Sequence, residues 1–515
     1  MAEALPGPWR QAKTREERVE LLQKVGISEA QGWNVQLFAL WQSQFGGRGL
    51  SSNIAVPLVV THGVADTTSI GVHTRVLVAD AADAERLART HVRKEPFFEA
   101  AVFDSIISTT DNEYWRQQRE HLAEAFLPLS SLAKVLPASR ARAQGCAARL
   151  ASLAAGGTPV DMSDFLLHEA QAQLQLALLG APEEVMDATN EGLRGAFMGN
   201  FGEGEVGALG KAMRLLMERA QTDHSLALPT DGKAVKGPVL RAIQTSEFGP
   251  VTDYGNILLV LFAGHDTTGH TMTWLLFELA RHPKLQEELQ REVDAFFASL
   301  GGRDPEYADL GCGLDLMDRC VTETLRLWPA VANGTYRQLH FDDVVAGPDG
   351  APVKLPKGTL VNMVNWSRHR NPQLWGPDAD EWNPRRDFQE CEIMRVARPM
   401  AACNPQSARF SPFAVKPRSC LGRNFAQMEM RLILSYLIRN FDFSLAPPYD
   451  ALAGPKPAPL GATLGAGEGE ADGFRAVNRI TLGPMDMERS GECVWGKRHL
   501  YALKMIVTPR AIINA

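Results

Sequence analysis

Along most of the chain apolar residues recur every three to four positions, the spacing of a helix with one buried face, while strand-like stretches are short. Residues 14–25 are charged and read as an amphipathic surface helix. Residues 33–80 are rich in Val, Thr and Gly, and 74–78 read as a strand. From about 110 to 300 the pattern is mostly helical. Thr110 and Glu113 have the spacing of a capping box, and Pro128 is expected to end the helix that follows. Residues 165–180 and 206–225 carry helical spacing, and 251–281 read as one long helix of about 45 Å at 1.5 Å per residue. Pro283 suits the first turn of the next helix. A helix over 314–327 stops before Pro329, and another runs over 422–439. Between them, 331–390 are rich in Pro, Gly and Asn with short strand pieces. Residues 447–475 read as a long flexible loop, and the final YALKMIVTPR as a closing strand. The expected fold class is mainly α with small β-sheets at the edges (α+β).

Composition narrows the class. Of 515 residues, 45% are hydrophobic and 22% charged, which excludes a disordered chain, a collagen-like chain and a disulfide scaffold. With 53 Lys and Arg against 60 Asp and Glu, the net charge of −7 gives no basic face for nucleic acid. A prior of about 150 residues per domain suggests three or so domains. The seven cysteines, at 146, 312, 320, 391, 403, 420 and 493, form no C-x-x-C pair. They are expected to be free, mostly buried thiols in a reducing compartment. The N-terminus has no apolar stretch of signal-peptide type, and no run of about 18 apolar residues occurs. A cytoplasmic protein without an integral membrane segment is therefore expected.

Four local patterns carry candidate chemistry. Cys420, in FSPFAVKPRSCLGRNFAQ, has Phe413 seven residues before it, Arg418 two before and Gly422 two after, and a helix follows at once. A thiol near a helix N-terminus is expected to have a lowered pKa, and nearby N–H groups can tune a bound metal. Read alone, it competes evenly with an inert buried cysteine. Glu323 and Arg326, at i and i+3 in ETLRLWP, can form a bidentate pair. Read alone they are an ordinary surface pair. In AGHDTTGHTMTW, the small residues Ala263 and Gly264 let something flat approach a helix backbone. Asp266, Thr267 and Thr268 are poor helix formers there, and Thr hydroxyls can bond the carbonyl four residues back. Trp115 and Arg119, at i and i+4 in YWRQQREHL, share one helix face and can hold an anionic group of a large ligand.

The order W-x-x-x-R, A-G-x-D-T-T, E-x-x-R, W-N-P-R-R (Trp382 to Arg386) and F-x-x-x-x-R-x-C-x-G resembles the cytochrome P-450 family of haem-thiolate monooxygenases. The likeness is firm over about 115–443 and without motifs over the first hundred and last seventy residues. It implies one haem domain over 1–515, replacing the three-domain prior. Haem b (iron protoporphyrin IX) would lie between the long central helix and the helix after the Cys-loop. Cys420 would be the thiolate ligand of the iron, with Phe413 packed near it and Gly422 in its loop. Trp115, Arg119, Arg418 and Arg337 would bind the propionates. Ala263 and Gly264 would lie over the haem face. Glu323, Arg326 and Arg386 would form a structural network. Asp266 and Thr267 would be the acid–alcohol pair, Thr267 holding oxygen and its water and Asp266 relaying protons from solvent.

By the same likeness, Phe97, Phe98, Phe103, Ile106, Leu259, Phe262 and Val331 would line an apolar pocket, with Asn333 and Thr335 able to orient a lipophilic small-molecule substrate. O2 would be the co-substrate. With no length left for a fused flavin or iron–sulfur domain, NAD(P)H electrons would arrive through a separate reductase or ferredoxin at the proximal face. A haem-thiolate isomerase or peroxygenase without reductase is the runner-up, and a non-catalytic haem sensor or carrier the alternative from another class. His265 and His270 read as surface or packing histidines. LPGPW near the start faintly resembles the segment after the anchor of microsomal members, which leaves peripheral membrane association and a trimmed anchor open. Two features depart from the family. Lys416 stands where Gly is usual, so either the loop takes another route or Lys416 is strained. With Arg423 and Arg116 it would form a basic patch for an acidic electron donor. The C-terminal stretch after Phe443 is also longer than usual, with Gly-rich 461–474 as an extra loop near the substrate entrance or a disordered excursion.

Overall fold

The computed structural model describes residues 51–55, 74–78, 80–95, 104–127, 129–180, 227–230, 233–346, 351–395, 405–447, 449–452, 474–478, 481–486 and 502–511. The helices expected at 14–25 and 206–225, most of the loop expected at 447–475, and Phe97, Phe98 and Phe103 lie outside the described residues.

The elements in chain order are β1 (Ser51–Ala55), β2 (Thr74–Val78), α1 (Ala81–Thr90), α2 (Asn112–Phe126), α3 (Leu129–Leu153), β3 (Val160–Asp161) and α4 (Met162–Gln173), which continues as a wider π turn over Leu174–Leu179. The chain resumes with β4 (Ala227–Thr230), β5 (Lys233–Lys236), α5 (Pro238–Gln244), α6 (Pro250–Arg281), α7 (Pro283–Ser299) and α8 (Asp315–Leu327). Then come β6 (Thr335–Gln338), β7 (Asp343–Ala346), β8 (Pro352–Leu355), β9 (Leu360–Met363), α9 (Asn365–His369), α10 (Pro372–Trp375), α11 (Arg423–Asn440), β10 (Phe441–Leu445), β11 (Phe474–Asn478), β12 (Leu482–Asp486) and β13 (Lys504–Pro509). The fold is mainly helical with small sheets. One sheet is ordered β1-β2-β9-β6 and a second β10-β13-β3, with Phe443 opposite Val507, and three hairpins stand apart. Among the described residues no helix is long and apolar enough to cross a membrane.

Local chemistry explains most helix ends. Pro250 and Pro283 open α6 and α7, where a missing N–H costs nothing. The cap of α2 corrects the expected one: Asp111, not Thr110, is the N-cap, and its carboxylate accepts from the N–H groups of Glu113 (2.8 Å) and Tyr114 (3.1 Å). A charged cap interacts with the helix dipole as well as with the two donors, which a Thr hydroxyl does not.

Helix α6, 32 residues and about 48 Å long, is the axis of the larger core. It lies unusually close to α4. A Cβ on Gly269 would stand 2.9 Å from the Cα of Leu167, and one on Gly264 only 1.7 Å from Leu174 Cδ1. Trp274 stacks on Trp328 (4.0 Å between centroids) and so ties α6 to the end of α8, while the Trp328 indole donates to Glu278 (2.8 Å). A smaller core unites α1 with strands β2, β6–β9 and contains Val76, Leu87, Val361, Met363 and Val415. Val415 belongs to the segment before Cys420, whereas Phe410 of the same segment is buried in the larger core. The Cys420 segment is thereby anchored in both cores.

Candidate functional site

The segment 410–422 folds back on itself, the Cys420 N–H donating to the Phe413 carbonyl at 2.8 Å. Its route differs from one that puts a glycine-like conformation at Lys416: positive φ falls on Ala414 (58°), and the Lys416–Pro417 bond is cis. Of the two alternatives left by the sequence, the loop takes another route, and Lys416 is exposed. The Cys420 side chain is open to solvent yet enclosed by protein, as befits a residue on the wall of an interior space. Contrary to the expected lowering, burial lifts its thiol pKa. The N–H groups of Gly422 and Arg423 and the guanidinium groups of Arg423 and Arg119 oppose that shift without overcoming it. These groups converge on the sulfur and favour negative charge there.

Arg119, on α2, donates to the Ser419 carbonyl (2.8 Å). Trp115, one turn earlier, is buried with the Arg418 guanidinium over its ring at 4.1 Å. Among the described residues the Arg418 hydrogen bonds are long, to the Ile106 carbonyl (3.3 Å) and Asn112 Oδ1 (3.4 Å), and its Nε has no partner. Arg337 comes from edge strand β6, where alternation turns Thr335 and Arg337 to the same inward face. It is wholly buried, and among the described residues its guanidinium donates to the neighbouring Tyr336 carbonyl alone (2.8 Å). Its Nε and Nη2 have no partner among the described residues. Burial pulls the pKa of Arg337 down to about 9, and burial with the fields of Arg337 and Arg119 does the same to Arg418. Burial, Arg337 and Arg418 likewise depress Lys94. Among the described residues Arg337 and Arg418 have buried N–H donors without acceptors, a condition that favours binding of an anion.

Across α6, Thr267 donates to the Ala263 carbonyl (2.9 Å), the back-bonding expected of a mid-helix Thr. The close approach that Gly264 makes is to the Leu174 side chain, so packing of the turn after α4 on α6 by itself favours glycine there. His265 and His270 are both buried rather than on the surface. Asp266 is buried as well, and burial raises its carboxyl pKa. Its Oδ2 accepts from the hydroxyl of Thr481, which is also 2.9 Å from His270 Nδ1. Leu259, Asn333 and Thr335 are buried, and Ile106, Phe262 and Val331 partly so.

Glu323, Arg326 and Arg386 meet in one buried network. Glu323 Oε2 accepts from Arg326 Nε (2.6 Å) and Oε1 from Arg326 Nη2 (2.7 Å), and Arg386 Nε stands 3.4 Å from Oε1. The proposed basic patch is corrected in two places. Arg423 is buried and donates to the Cys420 carbonyl (2.9 Å), and Arg116 pairs with Glu113 (2.7 Å). The five described cysteines are free, but only Cys146 and Cys320 are buried, whereas Cys312 and Cys391 are exposed.

Two residues at these elements escaped the sequence reading. Thr481 carries no local motif, and only the tertiary fold brings it to Asp266. Glu429 on α11 is buried, and both its carboxylate oxygens lack a partner among the described residues, so burial alone drives its pKa well upward. An acid at an inward position of an apolar helix was the available signal.

Comparison with known proteins places this geometry. The family model described as Cytochrome P450 matches residues 254–456. Cytochrome P450 4c21 of Blattella germanica is 36% identical over 183 residues, 36% of this chain and 33% of the relative. Secologanin synthase 2 of Catharanthus roseus is 34% identical over 191 residues, 37% of this chain and 33% of the relative. The chain thus matches 33% of the length of these curated relatives. A solved structure, the cytochrome P450 CYP102L1, shares the fold with a TM-score of 0.67 at 18% identity, covering 93% of this chain and 95% of its own.

Proposed function

This chain belongs to the cytochrome P450 family, and on that premise we propose that it is a haem-thiolate monooxygenase that inserts one atom of O2 into a lipophilic small molecule, with electrons from a redox partner. The observation that carries the reading is the cation cluster beside Cys420: Arg337 and Arg418, with buried donors lacking acceptors among the described residues, next to a sulfur on which N–H groups converge. A flat group with two carboxylates and a thiolate-binding metal fits that donor set. The reading treats the chain as one haem unit, since motifs from Trp115 to Gly422 would all touch or support a single group.

Arg337, Arg418 and Arg119 would hold the propionates, and Trp115 keeps the Arg418 guanidinium in plane by stacking. Cys420 would be the iron ligand. Haem supplies an electron-rich iron centre at which O2 is reduced and its O–O bond is cleaved. The Gly422 and Arg423 N–H groups stabilise charge on the sulfur and limit its basicity. On the distal helix, Thr267 gives its proton to the Ala263 carbonyl, so its oxygen lone pairs are free to accept from a water and hold it in place. Burial raises the pKa of the Asp266 carboxyl against the opposing pull of His265 and the Thr481 hydroxyl, which suits it to take up and pass on protons. Leu259, Phe262 and Val331 form the apolar side of the pocket and exclude water, while Asn333 and Thr335 offer hydrogen bonds that orient a substrate.

The test is a reduced carbon-monoxide difference spectrum of wild type and Cys420→Ser. A thiolate-type red-shifted Soret band in the wild type, lost in the variant, supports the assignment. Haem bound without such a band overturns it. Turnover with reductase and NADPH, compared with hydrogen peroxide alone, then separates a monooxygenase from a peroxygenase or isomerase.

A further inference from the structure

We propose that Thr481, backed by His270, is a positioning residue that holds the carboxyl of Asp266, so that the C-terminal hairpin is part of the proton-delivery apparatus. This rests on the role given to Asp266 above. Asp266, His270 and Trp274 follow one another at intervals of four along α6 and share one face. The hairpin β11–β12 is fixed against that face. The Trp274 indole donates to the Leu482 carbonyl (2.9 Å), the Leu482 N–H donates to the Ala330 carbonyl (2.9 Å), and Leu482 is fully buried. Thr481, the residue before, therefore presents its hydroxyl from a fixed origin.

The direction of the contacts follows from the proton count. A Thr hydroxyl has one proton, and Thr481 donates it to Asp266 Oδ2. Its oxygen then accepts from His270 Nδ1 at 2.9 Å, which makes His270 the Nδ1–H tautomer. The same nitrogen lies 3.5 Å from Asp266 Oδ1. The chain runs from imidazole through hydroxyl to carboxylate. It occupies Oδ2 and leaves Oδ1, 3.5 Å from His270 Nδ1, as the oxygen that exchanges protons. A carboxyl held this way cannot rotate out of line without losing a buried bond. The hairpin lies outside the residues 254–456 that the family model matches.

The experiment compares Thr481→Val, which removes the donor and keeps the shape, with Thr481→Ser, which keeps the donor. The infrared carbonyl band of protonated Asp266, assigned by its absence in Asp266→Asn, is followed through a pH titration. The titratable neighbours His265 and His270 are unchanged in both variants. In Thr481→Val the titration midpoint should rise by about one unit, since a hydrogen bond to a carboxylate is worth roughly tenfold in its ionisation. The band should also move to higher frequency, and Thr481→Ser should restore both. In the holoenzyme with reductase and NADPH, Thr481→Val should raise the fraction of NADPH oxidised that ends as hydrogen peroxide, and Thr481→Ser should not. Unmoved infrared midpoint and band in Thr481→Val overturn the proposal. If Asp266→Asn leaves the peroxide fraction at the wild-type level, the role of Asp266 itself fails, a separate outcome. Should Thr481→Val fail to fold, Thr481→Ala removes the same hydroxyl with less bulk and is judged by the same readings.

Discussion

Substituting Arg326 by lysine keeps the charge and removes the fork, which makes it the sharpest test of how the Glu323 network works. All five N–H donors of Arg326 are used. Nε and Nη2 grip the two Glu323 oxygens, Nη1 reaches the carbonyls of His369 (2.7 Å) and Ala379 (2.6 Å), and Nη2 also donates to the Glu381 carbonyl (2.9 Å). Lysine has three donors on one atom, so at least two of the five bonds are lost in a site with no exposed surface. At about 1.5–3 kcal/mol for each buried bond to a charged group, the loss is about 3 kcal/mol or more. Arg326→Ala should cost about 3–5 kcal/mol, because it leaves Glu323 buried with only the 3.4 Å contact to Arg386 as an ion pair. Arg89→Lys is the control. It breaks the two-bond grip on Glu85 at a half-exposed helix surface and should cost only a few tenths of a kcal/mol. Urea unfolding followed by circular dichroism gives each change as the slope times the midpoint shift. If Arg326→Lys moves the midpoint no further than Arg89→Lys, the reasoning from the fork is wrong.

Three further outcomes follow from other parts of the structure. Gly264→Ala should destabilise the fold by about 1–3 kcal/mol through overpacking on Leu174, despite a helix-propensity gain of about 1 kcal/mol. Adding Leu174→Ala should recover part of that loss in a double-mutant cycle, and simple addition of the two losses would contradict the contact. Asp161 is half-buried at the start of α4, and desolvation raises its pKa to about 6. An acid raised on folding contributes stability below its unfolded pKa and loses it as pH rises toward the folded one. Stability should therefore fall by up to about 3 kcal/mol between about pH 4 and 6, and Asp161→Asn should flatten that stretch of the profile. Arg337→Met should leave the haem-free protein as stable or more so, since it removes a buried charge, yet weaken haem retention by roughly tenfold or more. Equal destabilisation of both forms in thermal melts would argue for a purely structural arginine.

How much of this was legible beforehand depended on whether a signal was local. The long helix, Pro283 at the start of the next one and the strand at 74–78 were legible because periodicity and proline act over a few residues. Gly264 was singled out as permitting close approach, but the element it admits is α4, which no spacing within 263–268 can reveal. The pKa of Cys420 was misjudged for a related reason. The helix terminus is visible in the sequence, but the desolvation that outweighs it is set by elements far away. Arg423 shows the same limit from the other side: its residue type suggested the surface, while the start of α11 turns it inward to the Cys420 carbonyl. Thr481 is the extreme case, a residue with no motif, whose meaning comes only from lying against the Asp266–His270–Trp274 face.

The buried arginines separate into two kinds, and the difference bears on function. Arg326 and Arg370 are saturated. Arg370 donates to the Leu327 carbonyl and to Asp380, and its guanidinium lies over the Trp366 ring at 4.0 Å. Such residues are complete within the protein and hold elements together. Among the described residues Arg337 is incomplete, with two of its three nitrogens lacking acceptors, and the hydrogen bonds of Arg418 beside it are long. Arg337 and Arg418 stand together in the interior with Lys94, where the Glu95 carboxylate opposes part of the repulsion. Their mutual repulsion and desolvation oppose folding, and only an anion can offset both terms at once. The dianionic edge of a haem would do so. On this argument binding of the group and completion of the fold are linked, and the haem-free chain should be least stable around β6 and the Cys420 segment, where the uncompensated charges sit.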